Sequence, residues 1–199
     1  MKEVIFPYQE GREYYEIEIE GLKRRLPLLR VSEDTWIAYF DSLGDREFIS
    51  KCAEKLSEKL RGSDILITSE SKGIPLVHEI AKILDHKRYI VARKELKPFM
   101  VNPLVAECRP VTSKAPIKLC IDGRYVPYIK DKSVGIVDDI VSTRETMSAL
   151  EKLVVMAGGR VYKKVAILLE GGVYDDVEYL GILPIFKKTV KSIKIIQPS

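Results

Sequence analysis

Residues 133–147, SVGIVDDIVSTRETM, constrain this chain more than any other stretch. Val134, Ile136 and Val137 run into two carboxylates, Asp138 and Asp139. Two apolar residues follow, then Ser142, Thr143, Arg144, Glu145 and Thr146. Met147, Leu150, Leu153, Val154 and Ala157 then recur at helical spacing. The pattern predicts a buried strand, an acidic edge, a hydroxyl-rich turn and a helix N-terminus in direct succession. Backbone N–H groups at such an end are unpaired and carry partial positive charge, so the turn suits a phosphate. Two carboxylates beside it suit ribose hydroxyls or a hydrated magnesium ion. One short stretch can therefore grip both the phosphate and the sugar of a phosphorylated ribose.

The same strand–turn–helix succession occurs earlier. DILIT (64–68) predicts a strand, and Leu76, Ile80 and Leu84 give the next segment an apolar helix face, with Pro75 in its first turn. Between them lie Ser71, Lys72 and Gly73. Gly73 permits close approach of the backbone to a ligand, and Lys72 adds charge to an end that already favours anions. Alone this turn is also an ordinary connection between a strand and a helix. A third strand, 88–92, ends at Arg93, Lys94 and Lys97. In an open parallel sheet ligands gather at the carboxyl ends of strands, which places these cations on the rim with Lys72 and Asp138.

The remaining segments fit one α/β domain with a β-rich start. Tyr15, Ile17 and Ile19 alternate with Glu16, Glu18 and Glu20, the period of a strand with one wet face. Residues 28–31 and 36–40 predict two more strands, so 1–44 is expected to form a hood and 45–199 an α/β core. Asp45 is placed to cap a helix carrying Phe48, Ile49, Cys52, Ala53, Leu56 and Leu60 on one face, with Gly62 at its end. Prolines 98, 103, 110 and 116 break the segment between the third strand and the central motif, and such a long irregular stretch is usually functional or mobile. Glu107 and Arg109 are its polar candidates. Strands are expected at 161–169, 179–186 and 190–196.

Composition narrows the function. With 33 basic and 29 acidic residues the net charge is +4, far from the basic stripe of a nucleic-acid binder. Cys52, Cys108 and Cys120 form no CxxC pair and have no His cluster beside them, which argues against zinc and for reduced thiols. No apolar run approaches membrane-spanning length and no signal-peptide core begins the chain, so a cytoplasmic protein is expected. Acidic strand ends also occur in ATPases, but the G-x-x-x-x-G-K-[ST] loop those require is missing.

The set of motifs, in this order, resembles the type I phosphoribosyltransferases. Their signature is an apolar strand, two acids and a Thr/Gly-rich turn; SESKGIP is similar to the diphosphate loop of the adenine-type members. GLKRRLP, WIAYF, LGD, ARKELKPFM and IDG also look like pieces of a bacterial adenine-phosphoribosyltransferase-like branch. The resemblance implies a parallel sheet flanked by helices under a β-rich hood. It also implies a homodimer acting on 5-phosphoribosyl-1-diphosphate (PRPP) and a purine base, with magnesium bound alongside PRPP. Adenine is the base it favours, with hypoxanthine, guanine or xanthine as alternatives; a PRPP- or nucleotide-sensing regulator on the same fold is the other reading. By that resemblance Asp138 and Asp139 hold the ribose, and Ser142, Thr143, Arg144, Glu145 and Thr146 hold the 5-phosphate. Ser71, Lys72, Gly73, Arg93 and Lys94 face the diphosphate, and residues 98–116 close over PRPP. Where this chain has Arg144 the family usually has glycine. Its side chain either distorts the loop or joins the phosphate's ligands.

Overall fold

In the computed structural model, which describes residues 2–108 and 116–188, the chain opens with two short strands, β1 (Lys2–Glu3) and β2 (Ile5–Pro7). β3 (Tyr14–Ile19) follows the alternation of its sequence: Ile17 and Ile19 are buried while Glu16 and Glu18 are exposed. Glu20 and Gly21 take left-handed backbone angles (φ 50° and 78°) and turn the chain directly into β4 (Leu22–Arg30). This strand begins six residues earlier than the apolar pattern predicts. Lys23 and Arg25 lie opposite Glu18 and Glu16, so opposite charges across the hairpin supply what apolar alternation does not. β5 (Thr35–Ala38) completes the N-terminal run of strands.

Helix α1 (Arg46–Leu60) starts at Asp45, whose carboxylate accepts from the Phe48 N–H at 3.2 Å. β6 (Ile65–Ser69), α2 (Gly73–Ile83) and β7 (Tyr89–Ala92) form a strand–helix–strand succession in which β6 and β7 pair in parallel. β8 (Leu104–Cys108) and β9 (Ile117–Ile121) pair as an antiparallel hairpin within the proline-broken segment. Its tip, including Arg109, lies outside the described residues. Arg93 and Cys120 exchange backbone hydrogen bonds of 2.8 Å, which attach the hairpin to the end of β7. A 3-10 turn (Gly123–Tyr125) and α3 (Val126–Ile129) precede β10 (Ser133–Val141); the sequence pattern does not reveal this turn and helix. Then come α4 (Glu145–Met156), β11 (Arg160–Glu170), β12 (Gly172–Val173), β13 (Glu178–Leu183) and β14 (Ile185–Lys187).

The core sheet has the order β13-β11-β10-β6-β7, and all four pairings are parallel. Apolar residues of α1 and α2 cover one face, together with the inner face of the hood; α4, α3 and β9 cover the other. This two-sided burial explains why β6 and β10 are apolar without alternation. From β6 the chain winds outward to β7, and from β10 it winds the opposite way to β11. The order therefore reverses between β6 and β10, where open α/β sheets bind ligands.

The hood is a second sheet, β2-β14-β5-β4-β3. Its β14 comes from the far end of the chain, not from residues 1–44. The single strand expected at 179–186 is split at Pro184, β13 staying in the core sheet while β14 crosses to the hood. The expected strand at 190–196 lies outside the described residues. Among the described residues, no helix is long and apolar enough to cross a membrane.

Candidate active site

Asp138 and Asp139 end the buried part of β10, and both are more than nine-tenths buried. Asp138 Oδ1 accepts from the Asp139 N–H at 3.0 Å. Burial pushes the Asp138 carboxyl well above the ordinary carboxylate range, and the charge of Asp139 pushes it the same way. Burial also raises Asp139, against which the positive charge of Lys72 and a hydrogen bond from Ser42 act. Both carboxyls are thus held above the ordinary range, and Asp139 is the one that Lys72 and Ser42 support as a carboxylate.

Beyond β10 the turn at 142–144 leads into α4. Ser148 N–H makes the first helical bond, to Arg144 C=O at 2.8 Å, which leaves the N–H groups of residues 145–147 unclaimed by the helix. Asp138, Ser142, Thr143, Arg144 and Thr146 line a cavity of about 30 Å³ at this end, room for a few atoms and not for a whole nucleotide. The side-chain hydroxyls of Ser142, Thr143 and Thr146 make no hydrogen bond among the described residues. Arg144 has the left-handed backbone (φ 65°) that the usual glycine would adopt without strain. Its guanidinium is held to one side, paired with Asp176, 3.9 Å from Glu151 and 5.4 Å over the Tyr174 ring. Arg144 Nε and Glu145 Oε2 are buried yet lack hydrogen-bond partners among the described residues, a donor and an acceptor left for something else.

The second turn lies across the switch point. A Cβ on Gly73 would sit 2.2 Å from Thr68 Oγ1, so only glycine lets the start of α2 pack this closely on β6, with Asp138 Oδ1 3.4 Å from the same point. The Glu70–Ser71 peptide bond is cis, and Ser71 is exposed at the turn. Lys72 does not project freely toward the rim. Its ammonium donates to Phe40 C=O at 3.2 Å, lies 3.5 Å from Asp41 and sits 4.7 Å over the Tyr39 ring. Arg93 is likewise engaged, 3.0 Å from Glu70, whose other oxygen accepts from the Lys94 N–H at 2.7 Å. The exposed Lys94 contributes positive charge toward Asp138.

Sequence reasoning missed three contributors. Ser42, fully buried, donates to Lys72 C=O at 3.2 Å and reaches Asp139 Oδ2 at 3.3 Å, tying the segment after the hood strands to the Lys72 turn and to β10. Tyr174 donates to Ser142 C=O at 2.6 Å, and Asp176 holds Arg144. All three are distant in sequence from the motifs they touch, and no local pattern marks them. Glu107, a polar candidate of the proline-broken segment, pairs with Lys118 at 2.8 Å on the facing hairpin strand. The hood hairpin bounds a separate open cleft of about 410 Å³ near Arg12, Glu13 and Arg25, which neither turn reaches.

No protein-family model and no curated protein sequence matches the chain. Solved structures do. Adenine phosphoribosyltransferase from Thermoanaerobacter pseudethanolicus superposes with a TM-score of 0.60 at 21% identity, over 85% of this chain and 95% of that one. The Rhodothermus marinus adenine phosphoribosyltransferase gives 0.59 at 18% identity, over 85% and 94%. The Saccharomyces cerevisiae enzyme, solved with adenine and an imino-altritol bisphosphate, gives 0.55 at 16% identity, over 79% and 84%. With the parallel sheet, its hood and the two turns at the switch point, these likenesses show that the chain has the type I phosphoribosyltransferase fold, in a form similar to the adenine phosphoribosyltransferases.

Proposed function

We propose that the protein is a purine phosphoribosyltransferase, converting adenine and PRPP to AMP and diphosphate. The observation that carries this reading is the convergence of two strand–turn–helix ends on one buried aspartate pair at the sheet's switch point. An anion seat with an unpartnered buried donor lies on one side of that pair, and a glycine turn lies on the other. The fold neighbours support the substrate class, and the yeast enzyme's bound adenine supports the base.

In this reading the 5-phosphate sits on the N–H groups of residues 145–147, with Ser142, Thr143, Arg144 and Thr146 around it. Asp139, which Lys72 and Ser42 support as a carboxylate, accepts from a ribose hydroxyl, and Asp138 meets another. The bond from ribosyl C1 to the diphosphate oxygen breaks as positive character develops on the ring. A purine nitrogen then bonds to C1 from the opposite face and gives up its proton to water or to the diphosphate, which leaves with the electron pair of the broken C1–O bond. Ser71, Gly73 and Lys94 flank the leaving group, which Lys72 and Arg93 also reach once their carboxylate partners yield. The chain's work is positioning and charge placement, with no protein nucleophile. Hood and hairpin exclude water from an electron-poor carbon.

Two hard-oxygen carboxylates fit magnesium only in company, with PRPP and water completing its coordination; among the described residues no third Asp, Glu, His or Cys joins them. Bound in this way the ion would offset charge on the departing diphosphate.

The engagement of Lys72 by Asp41 and of Arg93 by Glu70 favours a second reading, a sensor that binds PRPP or a nucleotide with little turnover. Assays with PRPP, magnesium and each of adenine, hypoxanthine, guanine and xanthine separate the two. The proposal expects AMP from adenine, whereas PRPP binding without turnover of any base favours the sensor. Asp139→Asn should lower kcat/KM for PRPP by roughly 10- to 100-fold, the worth of a hydrogen bond to a charged group, while leaving the fold intact. Unchanged kinetics would remove Asp139 from the site.

A further inference from the structure

We propose that Asp176 and Tyr174 are positioning residues that allow an arginine to occupy the glycine place of the phosphate turn. This rests on the functional reading above only for the identity of the anion. Arg144 has a left-handed backbone, which a residue with a Cβ adopts at a cost. Something must hold the turn in that state, and the structure offers three contacts from one segment, the connection after β12. Asp176 pairs with the Arg144 guanidinium, the Tyr174 ring lies beneath it at 5.4 Å, and the Tyr174 hydroxyl donates to Ser142 C=O at 2.6 Å. Lys164, from β11, shares Asp176 and lies 2.5 Å from Glu151, so the tether is itself anchored to the core sheet and to α4. The tether leaves the buried Nε of the guanidinium without a partner among the described residues. The long cation is thus held on Asp176 and Tyr174 while Arg144 still lines the cavity.

The test is a double-mutant cycle between Asp176→Asn and Arg144→Gly, read in two ways. Amide hydrogen exchange over residues 142–147 of the unliganded protein reports the turn itself. Calorimetric binding of ribose 5-phosphate reports the anion seat. In the wild-type background Asp176→Asn should speed exchange and weaken ribose 5-phosphate binding, each by roughly 5- to 10-fold. In the R144G background the same change should alter both by less than about 2-fold, because glycine needs no tether there. Asp176→Glu, which keeps the carboxylate, should restore most of the protection. Equal effects of Asp176→Asn in both backgrounds would assign Asp176 to Lys164 alone and overturn the proposal, as would unchanged exchange in the wild-type background. If the exchange cycle holds while the wild type fails to bind ribose 5-phosphate, the brace stands and the functional reading fails.

Discussion

Asp138 shows how one residue carries both a stability penalty and a chemical opportunity. Its carboxyl is raised above the ordinary value of 3.8 by burial and by Asp139. Well below that ordinary value it is protonated whether the chain is folded or not, so folding carries no charge penalty. As pH rises past the ordinary value the unfolded chain releases the proton while the folded chain retains it, and stability falls. Asp138→Asn removes the titration. Its melting temperature should therefore gain on the wild type from pH 4 to pH 8, by roughly 2–4 °C for each kcal/mol relieved. A difference independent of pH would show that Asp138 is not held near-neutral in the folded protein. The two aspartates and the hydroxyls after them are legible as a pattern because they are contiguous. The support that Ser42 and Lys72 give Asp139 is not, because both reach it from elsewhere in the chain.

At the level of elements, the start of α2 is fixed by a contact between β6 and its own following turn. Gly73 leaves room for Thr68 Oγ1 where a methyl would be 2.2 Å away. Gly73→Ala should cost about 1–3 kcal/mol, the usual range for overpacking a closed site. It should also shift the turn away from Asp138. Adding Thr68→Ala removes the oxygen that the new methyl meets, so the double variant should recover most of the loss in urea unfolding. A double variant no more stable than Gly73→Ala alone would refute the contact as the cause. The sequence marks Gly73 as a close-approach position, and it also marks the helices, whose apolar faces repeat within a few turns. It misreads β4, where cross-strand charge pairs replace apolar alternation, and α3, which is a single turn long.

For the molecule as a whole, the hood is seated by residues far apart in the chain. β14 lies between β2 and β5, and its Phe186 is fully buried, edge-on to Phe6 and Tyr15. Arg24 of β4 binds Asp45 at 2.6 Å and Glu47 at 3.0 Å, joining the hood to the N-terminal cap of α1. Phe186→Ala should lower unfolding stability by about 3–5 kcal/mol, the range for emptying a buried aromatic site. Because Ser42 follows the hood strands, the same variant should weaken ribose 5-phosphate binding even though Phe186 lies outside the phosphate turn. A variant that melts lower but binds the sugar phosphate unchanged would show that the hood and the site are independent.

The sequence by itself determined the parallel α/β core, the strand–turn–helix units and the acidic motif, because each is encoded within a few consecutive residues by periodicity, turn chemistry and charge. Only the tertiary structure decided that the last described strand belongs to the hood, and that Lys72 and Arg93 are held by carboxylates. It also decided that Arg144 is drawn aside by Asp176 and Tyr174. Those outcomes come from pairs tens of residues apart, brought together by burying two faces of one sheet, and no local pattern of residues records which distant partner a side chain will meet.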